Sequence, residues 1–247
     1  NQRLSNSAQS ARQRGEKVPV HYALGEGIHA CAVDEAFVVL DILRDKYICL
    51  SGDQAHWFSE IINSEKLPLC TDILRYAEYL CDQFLLVRSS SEAPIKLTPQ
   101  QRFDASIHDR DLGSQRRPSF RHFLVLMWLR VTSQSLSPAN GLLADTLAKV
   151  KIWKTEARAI GSADEARAIE LAQQFHSLAP YCLSSHNACF FTSLLLLRFL
   201  SRFGVDAAWT FGVRLSPFEA HCWVSYNGVV LNESCDGCAN YQTILTV

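Results

Sequence analysis

Asn187–Glu233 reads NACFFTSLLLLRFLSRFG, then VDAAWTFGVRLSPFEA, then HCWVSYNGVVLNE. Asn187 is a good N-cap, which puts Cys189 in the first turn of a Leu-rich helix running to Arg202, with Gly204 closing it as a C′ residue. AAWTFGVR predicts a strand, and after the loop Leu215–Ala220 a second strand opens at His221. The Asn227–Gly228 pair signals a hairpin that returns the chain along VVLNE. Helices, then this helix, then strands make an α+β domain.

A thiol in a first helical turn meets free backbone N–H groups and the positive end of the helix dipole, which favour a thiolate. The same N–H groups are natural oxyanion donors for acyl transfer. A helix cysteine by itself is more often a small core residue. His221, accessible at a strand start and shielded by Trp223 on the same face, supplies the base that a nucleophile needs. His186 is a rival base, but it lies in the loop just before Cys189 and has no evident orienting partner. The orienter is Glu233, Asn232 or Asp236. A two-residue turn at Asn227–Gly228 pairs 221 with 234 and places Asn232 on the His221 face; a three-residue bulged loop pairs 221 with 233 and brings Glu233 opposite it. The residues leave Asn232 and Glu233 level.

Upstream, strand-like runs are expected at Ile28–Val33, Ala36–Asp41 and Lys46–Leu50, with tight connections at Asp34–Glu35 and Leu43–Asp45. A helix from about Gly52 carries Ala55, Phe58, Ile61 and Ile62 at helical spacing. A second, opened by Thr71, carries Ile73, Leu74, Ala77, Leu80, Cys81 and Phe84. Leu85–Arg88 is a candidate short strand. Residues 19–88 thus read as a small three-stranded domain with helices on it. The Ser-, Pro- and charge-rich residues 89–118 read as a linker, and 119–247 as the second domain. Helices are expected at Ser119–Thr132, Asn140–Ala157 and Ser162–Leu178, the last with a Ser162/Glu165 capping box and a stop at Ala179–Pro180. Residues 1–18 read as a polar disordered tail without the apolar core of a secretory signal.

The 247 residues carry a net charge of −1, so neither nucleic acid nor an anionic membrane is an expected partner. No apolar run nears the ~20 residues of a membrane span. Nine cysteines, an odd number scattered through apolar segments, point to reduced thiols and a cytoplasmic location. His29 and His56 read as structural or exposed. His108, Asp109 and Asp111 read as a solvated loop. Cys235-x-x-Cys238, without a second ligand pair, reads as a loose C-terminal segment rather than a metal or redox motif. No cofactor is expected, and no Gly-rich phosphate loop with Lys is present to bind ATP.

Residues 140–236 resemble the transglutaminase-like cysteine peptidases that remove leader peptides in lasso-peptide biosynthesis, the maturation B proteins. The matching features are Cys189 with its Leu-rich helix to Leu200, the helix end RFG, the strand AAWTFGVR, and above all FEAHCWVSYNGVVLNE. The resemblance implies a Cys189–His221–acid triad with the acid twelve residues after the histidine, here Glu233 where the family has Asp. Cys222 stands where the family has a small Ala. AVDEAFVVLDILRDKYICLSGDQAHWF resembles the PqqD-type, winged-helix-like leader-recognition domain that precedes the peptidase in single-chain members. It implies that the leader of a precursor peptide adds as a strand beside Lys46, Tyr47, Ile48 and Cys49, against the helix bearing Leu74 and Tyr79. It also implies that a separate ATP-dependent lasso cyclase takes the freed core. The expectation is therefore an α+β leader peptidase of an ATP-linked pathway. The alternatives are a transglutaminase-like acyltransferase or amidase, and a non-catalytic leader-binding chaperone.

Overall fold

A computed structural model describes residues 21–63, 70–89, 95–108, 119–133, 143–161, 163–183 and 188–247. The tail 1–18, Ser162, His186, Asn187, Asp109 and Asp111 lie outside these. The fold is mixed α+β. Contacts group the chain into two compact units. One takes residues up to Ile28 together with Leu50–Leu97; the other takes His29–Cys49 with Thr98–Val247. The strand-rich stretch 29–49 thus groups with the C-terminal residues, whereas the sequence reading keeps 19–88 together.

In the smaller unit β1 (His21–Leu24) pairs antiparallel with β5 (Leu86–Ser89). Helices α1 (Asp53–Asn63) and α2 (Thr71–Asp82) pack on each other. Phe58, Ile61 and Ile62 are buried on α1, as are Ile73, Tyr76, Ala77 and Leu80 on α2. These are i, i+3, i+4 sets, so each helix forms by burying one stripe.

In the larger unit β2 (Ile28–Val33), β3 (Ala36–Asp41) and β4 (Lys46–Leu50) form a sheet in that order. Asp34 and Asp45 hold positive φ, 53° and 52°, a conformation in which short polar side chains are several-fold enriched. Four helices follow: α3 (Phe120–Ser133), α4 (Leu143–Ile160), α5 (Glu165–Cys182) and α6 (Ala188–Ser201). β6 (Ala105–Ser106), β7 (Ala208–Arg214), β8 (Glu219–Tyr226), β9 (Val229–Val230) and β10 (Gln242–Thr246) make a five-stranded sheet ordered β10-β7-β8-β9-β6. The sheet is antiparallel except for the β6–β9 pair.

α6 is the core element. Leu194, Leu195, Leu196, Leu197, Phe199 and Leu200 are all at most 1 % exposed, so the helix is apolar on every face because it is packed on every face. It ends in a Schellman cap: Gly204 at φ 79° donates to Ser201 O at 3.2 Å, and Val205 N donates to Leu200 O at 3.2 Å. α3, α4 and α5 surround it, and β7 and β8 close the other side.

Five expectations need correction. β8 begins at Glu219, so His221 is its third residue rather than its first. The return strand is only Val229–Val230. α5 continues through Pro180 to Cys182, because a proline in the last turn removes only one intrahelical bond, and Leu183 N then caps on Ala179 O at 2.8 Å. The supposedly loose C-terminus is ordered: α7 (Cys235–Ala239) is capped by Ser234, and β10 pairs along β7. Residues 98–108 do not behave as a linker. Thr98 Oγ1 donates to Ile244 O at 2.7 Å, Gln100 Nε2 donates to Tyr241 O at 3.0 Å, and β6 adds to β9. Their polarity serves these long-range bonds. Among the described residues no helix is long and apolar enough to cross a membrane, and no group of three His, Cys, Asp or Glu is placed to hold a metal.

Candidate active site

Cys189 is the second residue of α6 and half-buried. The Cys222 thiol, the His221 ring and the Phe190 N–H are the neighbours that act on its ionisation. These three neighbours, in that order except that burial opposes them after the first two, hold the Cys189 thiol well below the ordinary range. Cys189 raises the His221 imidazole despite its burial, and Glu233 adds to the rise. These shifts favour a thiolate beside an imidazolium, and they push buried Cys222 up, which favours its thiol.

His221 Nε2 bonds Glu233 Oε2 at 3.0 Å, which leaves Nδ1 for the sulfur. The turn at Asn227–Gly228 is a strict two-residue one, with φ of 48° and 84° and Tyr226 opposite Val229. By register alone that turn favours Asn232 as orienter. The structure places Glu233 there instead, because the ladder does not continue. Leu231 N still donates to Val224 O at 2.8 Å, but Asn232 then folds its side chain back and accepts from Val224 N at 2.7 Å. The chain has left strand register by Glu233. Its carboxylate is fixed by Ser234 N at 2.9 Å, and its backbone carbonyl accepts from Ser106 Oγ at 2.5 Å. Asp236 is in the first turn of α7.

An aromatic frame holds the imidazole. Its ring centroid is 5.2 Å from that of Tyr241 and 6.1 Å from that of Trp223. Gly212 pairs opposite His221 on β7, and a Cβ there would sit 2.6 Å from the Trp223 ring and 2.7 Å from Tyr241. Only glycine lets both aromatics approach that closely. A cleft of about 470 Å³ reaches Tyr241 from β2, bounded by Asp34, Gln100, Arg214, Asn240 and Gln242.

Lys46 and Cys49 are exposed and Tyr47 and Ile48 half-buried on β4, an edge strand of its sheet. Tyr47 packs its ring 5.6 Å from Phe218 in the β7–β8 loop. Burial, then the nearby Cys222, Asp45 and Cys189, raises its phenol. Leu74 is half-buried and Tyr79 exposed on α2 in the smaller unit. His29 is pushed down by burial. His108 lies 6.0 Å, ring to ring, from His176, a half-buried histidine whose Nε2 bonds Leu231 O at 2.7 Å. Cys238 is buried against Trp223 and Val230.

Sequence reasoning missed Ser193 and Tyr241. Ser193 stands four residues after Cys189 and so shares its helix face, a signal that was available. Nothing in the sequence announces Tyr241, which reaches His221 only through the β10–β7 pairing.

Residues 139–246 match the sequence model described as the transglutaminase-like superfamily. Neither a curated protein nor a solved structure matches the chain at the significance required.

Proposed function

We propose, from the transglutaminase-like domain over residues 139–246, that the protein is a cysteine acyl-transfer enzyme working as a leader peptidase. The observation that carries the chemistry is the 3.0 Å bond from Glu233 to His221, whose other ring nitrogen is left for Cys189, the neighbour that acts most strongly on it. The Cys189 thiolate attacks the carbonyl at the end of the leader, and the imidazolium protonates the leaving amine. The neutral imidazole then takes a proton from water, which releases the leader from the thioester. Glu233 holds the ring with Nδ1 toward sulfur and stabilises its positive charge.

The finer identity rests on the resemblance of FEAHCWVSYNGVVLNE and of the 32–58 stretch to maturation B proteins. On that reading the substrate is a lasso-peptide precursor. Its leader pairs along β4 at Lys46, Tyr47, Ile48 and Cys49. A separate ATP-dependent cyclase receives the core, and the setting is cytoplasmic. The second reading, acyl transfer to an amine or amide hydrolysis, is favoured by the breadth of the transglutaminase-like match.

Incubation with a candidate precursor, followed by intact-mass analysis, tests the proposal. Free leader and core are expected from the wild type and not from Cys189→Ala. Cross-linked or deamidated peptide would select the second reading. Leader binding by the wild type without any covalent change would make the protein a chaperone.

A further inference from the structure

Cys222 forms and breaks no bond in the proposed transfer, yet its thiol is set among polar groups. It leaves β8 next to His221, is 2 % exposed, and its sulfur lies 3.2 Å from Ser193 Oγ. Ser193 is one turn beyond Cys189 on α6. It is locked by a 2.9 Å bond from Trp209 Nε1 and its own 3.0 Å bond to Phe190 O. The Cys222 thiol is thus seated on the face of α6 that carries Cys189 one turn earlier, where α6 packs on β8, and the two thiols act strongly on each other's ionisation. Cys189 is half-buried and reachable, whereas Cys222 is closed off. An accessible thiolate beside a shielded thiol is the arrangement of a peroxidatic and a resolving cysteine.

We propose that Cys189 and Cys222 form a dithiol modification site, which a hydroperoxide converts to an intramolecular disulfide that caps the nucleophile reversibly. The Cys189 thiolate attacks the terminal peroxide oxygen. An S–O bond forms and the O–O bond breaks; the sulfur is oxidised to a sulfenic acid, and the peroxide leaves as an alkoxide or hydroxide that takes a proton from the His221 imidazolium. The Cys222 thiol then gives up its proton and attacks the Cys189 sulfur. The S–S bond forms, the S–O bond breaks, and hydroxide leaves with that proton as water. Two thiols and one hydroperoxide yield one disulfide, one alcohol or water from the peroxide, and one water. Forming the bond brings the two sulfurs to about 2.05 Å. An external thiol reverses the bond by exchange and returns the thiolate. Without Cys222 the sulfenic acid has no partner at hand and proceeds to the irreversible sulfinic acid.

The inference rests on Cys189 being the thiolate of the proposed function, but not on its substrate, so the test reads modification rather than turnover. The full chain, reduced and desalted, is treated with stoichiometric hydrogen peroxide, alkylated, digested without reductant and mapped by mass spectrometry. The wild type is expected to give a peptide linked through Cys189 and Cys222, two hydrogens lighter than the sum and abolished by dithiothreitol. Cys222→Ala is expected to lose the link and accumulate Cys189 sulfinic acid about tenfold above wild type. Cys222→Ser, which keeps a hydroxyl beside Ser193, is expected to do the same and guards against a packing defect in the alanine variant. Equal Cys189 sulfinic acid in the wild type and both variants, with no linked peptide, overturns the dithiol site alone. Oxidation of Cys189 no faster than of the exposed Cys49 and Cys70 overturns it together with the nucleophile.

Discussion

His221 and Cys222 are consecutive residues of β8 in opposite surroundings. His221 is framed by Tyr241 and Trp223, is half-buried, and bonds a carboxylate. Cys222 is shut in beside Ser193 and Trp209. Strand alternation sends neighbouring side chains to opposite faces, so one peptide unit separates a base kept ready to carry a proton from a thiol kept from losing one. Their difference lies in the packing around them: a polar, partly open frame favours charge, and a closed corner opposes it.

The comparison breaks most directly at Cys189, whose ionisation both residues influence. Cys189→Ala is expected to lower precursor cleavage about 10³-fold or more, read by intact mass, with far-UV circular dichroism unchanged. Glu233→Gln should reduce kcat about 10²-fold or more, because the amide cannot stabilise the imidazolium or set the ring as the carboxylate does. If Asn232→Ala costs more kcat than Glu233→Gln, the orienter has been misassigned.

The pH response sharpens the same contrast. Cys189 is lowered and His221 is raised, so the ion pair spans the window between them. It is lost below that window as Cys189 takes a proton, and above it as His221 gives one up. Iodoacetamide labelling of Cys189 at pH 6 is expected to exceed that of free N-acetylcysteine by about tenfold or more. A labelling rate that instead tracks the free thiol from pH 6 to 9 would show that no pair forms.

Smaller effects concern the frame. Gly212→Ala should destabilise the fold by about 1–3 kcal/mol in urea titration, since the new methyl meets both Trp223 and Tyr241. Asn232→Ala should cost about 1 kcal/mol of stability by unpairing Val224 N.

Much of the fold was legible. The bounds of β2, β3 and β4 agree with the alternating runs, because Asp34 and Asp45 sit at turns that suit short polar side chains. α6 and its Gly204 cap follow from a Leu-rich run ended by a residue free to take positive φ. Residues 98–108 were not legible, since a two-residue strand and a few side-chain bonds to residues 241–244 leave no periodic trace. The C-terminal strand was missed for a related reason: YQTILTV is too short to identify its partner, and only β7 supplies one.

The residues themselves determined that a thiol would stand at a helix start and an imidazole on a following strand, because helix-capping and strand periodicities are local. Tertiary structure decided which acid reaches that imidazole. The register of a two-residue turn points to Asn232, but a side-chain bond to Val224 ends the ladder and turns Glu233 inward. It also decided that Cys222 would neighbour Cys189. Whether two residues 33 positions apart become neighbours depends on how α6 packs against β8, and no local pattern contains that distance.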